Sequence, residues 1–116
     1  MSLERVVNAI MGLGLSETDA LVYVFLAVNG PHKAKEISKK TKFYKEQLYR
    51  SLKNLKNKHV VKVSIEYPTV YYAVTFEEVL GLLAQIRNEQ AQTLREAKDE
   101  LLSSWKKMIK KNSKNS

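Results

Sequence analysis

Between Lys33 and Asn54 the chain collects side chains suited to gripping a polyanion and reading its edges. Lys33, Lys35, Lys42, Lys45 and Lys53 supply ammonium groups, Arg50 a planar guanidinium, and Gln47 and Asn54 amides that donate and accept together. Arginine and glutamine form paired hydrogen bonds with guanine and adenine edges in the major groove of DNA. Lysines are better suited to phosphates, which orient a protein without reporting sequence. Tyr44 and Glu46 stand among these residues, Tyr44 as a further candidate for direct contact. Tyr49 sits at the edge of an apolar stripe, where its ring is expected to pack.

The charge balance points the same way. Twenty Lys and Arg against twelve Asp and Glu give +8, and the excess is not spread evenly. Residues 1–32 carry one base and three acids, whereas residues 33–62 carry eleven bases and two acids. Residues 63–75 hold a single acid, and 76–116 hold eight bases against six acids. A solvated surface ordinarily mixes both signs, so a concentration of this kind fits phosphate contacts.

These residues need elements to hold them. Leu3, Val6, Val7, Ile10 and Met11 repeat at helical spacing, and Gly12-Leu13-Gly14 ends that helix. Ser16 caps a second helix with acids in its first turn. Its expected buried face is Ala20, Leu21, Val24, Phe25 and Val28, widened by Tyr23 and Leu26, and Asn29-Gly30-Pro31 stops it. A short helix over 34–40, a turn at Thr41-Lys42-Phe43 and a longer helix over 44–58 make a helix-turn-helix. On that longer helix Leu48, Leu52 and Leu55 define the inside. Glu46, Arg50, Lys53 and Asn57 point away, with Gln47 and Asn54 on one flank.

The period then changes to two. Val61, Val63 and Ile65 alternate with Lys62, Ser64 and Glu66 as a strand with one face buried. Residues 70–74 return as a second strand after a turn at Tyr67-Pro68-Thr69, and a hairpin in this place is a wing, with Glu66, Tyr67, Pro68 and Thr69 at its tip. Val70 and Tyr72 share a face, so at least one is expected in the core. Thr75 caps a last helix reaching about Lys111.

The fold class expected is therefore α+β and mostly helical: a winged helix-turn-helix over residues 1–75, a long C-terminal helix over 76–111 and a disordered polar tail over 112–116. On the last helix Leu80, Leu83, Leu94, Ala97, Leu101 and Met108 recur by threes and fours, with Arg87, Gln90 and Ser104 as polar interruptions. Ile86, Leu102, Trp105 and Ile109 broaden the stripe. Such a face suits pairing with a second copy; folding back onto its own domain is the competing arrangement.

The stretch from Leu13 to Tyr23, the segment Ala34 to Thr41, the run Leu48 to Leu55 and the wing Tyr67 to Val74 are similar, in order and spacing, to the DNA-binding domain of the TrmB-like family of archaeal transcriptional regulators. The likeness covers roughly residues 10–80. It implies the DNA-binding half alone, with a helical extension; taken with the apolar stripe of the last helix, the expectation is a transcriptional regulator that binds double-stranded DNA as a homodimer. That family usually has a glycine between the recognition helix and the first strand, where this chain has Asn57-Lys58-His59. The long effector domain of its sugar-sensing members is absent, so sugar binding is not implied and no small-molecule effector is identified.

Other functions find less support. The absence of cysteine excludes disulfides and thiolate zinc sites. His32 and His59 lack partners that would make a metal site or a nucleophile pair, so neither an enzyme nor a cofactor is expected. No apolar run is long enough for a membrane span. The first residues lack the pattern of a signal peptide, which leaves a cytoplasmic protein as the expectation. Two alternatives to a sequence-specific regulator remain: an architectural protein coating DNA with little sequence preference, and a winged helix used for protein contacts.

Overall fold

The computed structural model describes residues 2–114 and divides into two compact units, Met1–Leu83 and Ala84–Ser116. The first contains α1 (Leu3–Met11), α2 (Glu17–Asn29), α3 (Ala34–Thr41), α4 (Lys45–Asn57), β1 (Val61–Val63), β2 (Tyr71–Ala73) and the start of α5 (Phe76–Lys114). This is the expected winged helix-turn-helix layout. Of the tail expected to be disordered, residues 112–114 continue α5, while 115 and 116 lie outside the described residues.

Helix α2 is the hub, packing on α1, α3, α4 and β2. Its start is fixed by a reciprocal cap. The Asp19 N–H donates to Ser16 Oγ at 3.1 Å, and the Ser16 N–H donates to Asp19 Oδ2 at 3.0 Å. Its buried face differs from the expected one: Ala20, Val22, Tyr23 and Leu26 are buried, Leu21, Val24 and Phe25 are half-buried, and Val28 is 76% exposed. Leu21 to Val28 is uninterruptedly apolar, so periodicity leaves the rotation of this helix undecided until its several neighbours fix it.

The end of α4 is a Schellman turn. The Val60 N–H donates to the Leu55 carbonyl and the His59 N–H to that of Lys56, while Leu55 and Val60 bury their side chains at the same place. His59 occupies the left-handed position at φ +64°, the backbone conformation a glycine adopts without steric cost. The sequence departure at Asn57-Lys58-His59 is thus accommodated by the same turn.

β1 and β2 are antiparallel, pairing Val61 with Ala73, Lys62 with Tyr72 and Val63 with Tyr71. On its other side Tyr71 exchanges two backbone hydrogen bonds with His32, at 2.8 and 3.1 Å. Both strands are shorter than expected. Ile65 lies beyond β1 and is fully exposed, not part of a buried alternation. Of Val70 and Tyr72 neither is buried; Tyr72 faces outward beside Lys62, and Tyr71 takes the half-buried place. The ladder stops because Ser64 turns the chain with its own side chain, which ends the two-residue alternation.

Behind the hairpin, the Tyr23 hydroxyl donates to the Val74 carbonyl at 2.6 Å. Burial, aided by the charge of Glu78, pushes that phenol up to about 12. The Glu78 N–H donates to Thr75 Oγ1 at 3.2 Å, capping α5, and Val79 and Leu83 complete the core of this unit. In the second unit Leu94, Leu101, Leu102, Trp105, Met108 and Ile109 are all exposed.

Candidate nucleic-acid interface

The turn between α3 and α4 is held rigid by short-range hydrogen bonds. Ser38 Oγ donates to the Phe43 carbonyl at 2.9 Å, Thr41 Oγ1 to that of Ile37 at 2.6 Å, and the Lys42 N–H to that of Ser38 at 2.9 Å. Lys42 itself is left-handed, at φ +64°, which turns the chain sharply into α4. Upstream, the Lys33 N–H donates to Glu36 at 2.9 Å, and that bond is the main reason the Glu36 carboxyl titrates below its ordinary range.

α4 is seated from inside by Leu48, Ser51, Leu52 and Leu55, all buried. Its N-cap, Tyr44, offers no side-chain acceptor to the first turn. Arg50, Lys53, Tyr44, Lys45 and Glu46 are exposed, as are Lys33, Lys35 and Lys42 on and beside α3. Lys45 Nζ stands 6.0 Å from the centre of the Tyr49 ring, and Tyr49 is itself exposed, beyond the packing role expected for it.

Gln47 and Asn54 are placed differently from their neighbours. Both are half-buried and turn toward the start of α2. Gln47 Nε2 donates to Thr18 Oγ1 at 3.4 Å, and Asn54 Nδ2 donates to Asp19 Oδ2 at 3.4 Å. Asp19 is only 3% exposed, so its carboxylate depends on such donors. The two amides lie seven residues apart, two turns along one side of α4, and both bonds orient that helix on α2. Thr18, Asp19 and Ser51 were not singled out by sequence. The three-residue spacing from Ser16 to the acid Asp19 is the sequence signal that points to Asp19, as the partner in a reciprocal cap.

The wing residues Glu66, Tyr67, Pro68 and Thr69 are all exposed at the hairpin tip. Along α5, Leu80, Leu94, Leu101, Trp105 and Met108 are exposed, Ile86 and Ala97 half-buried, and Leu83 buried within the first unit. Among the described residues no group of His, Asp or Glu is arranged to hold a metal ion, and no helix is long and apolar enough to cross a membrane.

A helix-turn-helix followed by a two-stranded wing, with cations along the outer side of its second helix, defines a winged helix-turn-helix DNA-binding regulator. A family model described as sugar-specific transcriptional regulator TrmB matches residues 10–77. The chain belongs to the TrmB family, one of transcriptional regulators and not of enzymes. Among solved structures, it is similar to a possible transcriptional regulator from Methanosarcina mazei Go1, with 19% identity and a TM-score of 0.68, over 80% of this chain and 85% of that one. The ST1889 protein of the thermoacidophilic archaeon Sulfolobus tokodaii gives 20% identity and a TM-score of 0.66, over 80% and 98%. A point mutant of Staphylococcus aureus MepR, solved bound to an oligodeoxyribonucleotide, gives 14% and 0.55, over 93% and 87%. These likenesses are of fold. Among curated proteins none matches the chain.

Proposed function

We propose that the protein regulates transcription in the cytoplasm by binding specific sites in double-stranded DNA as a homodimer. Residues 1–75 serve as the reader and the helix over 76–111 as the dimer element. The observation that carries this reading is the outward face of α4, where Arg50 and Lys53 are exposed on the most basic stretch of the chain. Arg50 is the candidate for a guanine edge in the major groove, and Tyr44 at the start of α4 a further direct contact; Lys33, Lys35, Lys42, Lys45 and Lys53 meet phosphates. Gln47 and Asn54, engaged with α2, hold the reader in place.

Support for a dimer comes from α5. A helix exposing Leu94, Leu101, Leu102, Trp105, Met108 and Ile109 to water is an association surface. Charge favours one polarity of pairing. Residues 76–100 carry three bases and six acids, whereas 101–116 carry five bases and no acid, so antiparallel helices set opposite signs side by side. Leu83, already in the core, takes no part.

Selection of bound duplexes from a random pool tests the reading. A consensus should emerge, and Arg50→Ala should weaken binding to it by about 1–3 kcal/mol while relaxing preference at one base pair. Uniform coverage without a consensus would support the architectural alternative. In sedimentation, Leu101→Glu with Trp105→Glu should convert a dimer to a monomer; an unchanged dimer would refute the role given to α5.

A further inference from the structure

The wing lacks the usual means of touching DNA. From Val63 to Thr75 there is no Lys or Arg, and the sole charge is the acid Glu66. A wing that gripped phosphate, or reached an arginine into the minor groove, would need a cation there. What the tip presents instead is apolar. Ile65 is 103% exposed and Tyr67 95% exposed, with Pro68 exposed beside them.

The loop that carries these side chains is braced from within. The Ser64 N–H donates to the Val70 carbonyl at 2.9 Å, and the Val70 N–H donates back to Ser64 Oγ at 3.0 Å. The Ser64 hydroxyl shares its proton between the Glu66 carbonyl at 3.1 Å and the Pro68 carbonyl at 3.3 Å. The tip thus satisfies its polar groups locally and directs its apolar groups outward. It is also continuous with the basic surface. An open groove of about 660 Å³ runs from Lys56 on α4, past Lys62, to Ile65 at the tip.

From this we infer that the wing tip is an apolar wedge: Ile65 and Tyr67 enter the minor groove and partly unstack one base step, while Lys56 and Lys62 hold the phosphates at the wing's root. The inference rests on the DNA-binding reading of α4. Isoleucine and proline are among the side chains that open base steps and kink the duplex, and pyrimidine–purine steps open most easily. The absence of cations at the tip follows, since the wedge works through stacking and not through charge. Bending of the site becomes part of what the protein recognises.

The test uses the full chain and a duplex it has selected from a random pool, with 2-aminopurine placed in turn at each pyrimidine–purine step and a donor–acceptor dye pair at the ends. Binding should raise 2-aminopurine fluorescence toward the single-strand level at one step and shorten the end-to-end distance, for a bend of about 20–90°. The double variant Ile65→Ser, Tyr67→Ser should lose both signals, and Ile65→Leu should keep them. Neither Ile65 nor Tyr67 is packed, so circular dichroism should be unchanged. Bound protein over fully stacked bases, or a double variant that unstacks as well as the parent, overturns the wedge alone. A double variant whose sedimentation changes in place of its DNA signals overturns it in favour of a contact between copies. Failure of the unsubstituted chain to bind any duplex overturns both this inference and the reading beneath it.

Discussion

The bond from Tyr23 to Val74 ties the central helix to the root of the wing, and removing its donor should cost measurable stability. Tyr23→Phe keeps the ring and removes only the hydroxyl, leaving the Val74 carbonyl without that donor in a buried place. A lost buried hydrogen bond of this type costs about 1–3 kcal/mol. At about 4–8 °C per kcal/mol for a domain of this size, the melting temperature near neutral pH should fall by several degrees. The pH dependence adds a second, independent signature. The Tyr23 phenol is raised from 10.0 to about 12, first by burial and then by Glu78, so the fold favours its neutral form. Its contribution is fully present below pH 10 and is lost as pH rises toward 12, a change of about 3 kcal/mol. The assay is urea unfolding of parent and variant at a series of pH values. All other side chains are common to both proteins, so the difference isolates this hydroxyl. The stability gap should therefore be positive at pH 8 and shrink or reverse by pH 12. A gap that stays constant across that range would refute the assignment of the shift to this hydroxyl.

Two further substitutions separate phosphate contact from positioning. Lys53→Ala should weaken binding equally on all duplexes and reduce the slope of log affinity against log salt by about 1; a loss confined to one sequence would make Lys53 a base reader. Asn54→Ala removes one donor from the buried Asp19 carboxylate and should lower unfolding stability by about 1–3 kcal/mol without altering the selected consensus. A changed consensus would return Asn54 to the DNA-reading surface.

How much of this was legible beforehand depended on whether a signal was local. The order of elements, the caps at Ser16 and Thr75 and the basic helix-turn-helix all follow from short-range rules of spacing and turn chemistry. The rotation of α2 does not, because eight consecutive apolar residues satisfy several phases and tertiary neighbours decide among them. Nor does the orientation of Gln47 and Asn54. A helical wheel placed them on a flank, and only the arrival of Thr18 and Asp19 from α2 turns that flank inward. Ile65 obeyed the alternation of its strand by type, yet the Ser64 side chain ended the ladder one residue earlier. In each case the deciding contact came from a side chain elsewhere in the sequence or from a hydroxyl competing with the backbone.

The exchange of backbone bonds between His32 and Tyr71 bears on how copies of this protein can meet. An open strand margin is a standing invitation for another chain to dock alongside it. Here the outer margin of β2 is already occupied, at its first residue, by the loop that precedes α3, and each strand runs only three residues. Alignment of a further strand is closed off at that point of the margin, and so short a ribbon has little edge left to offer.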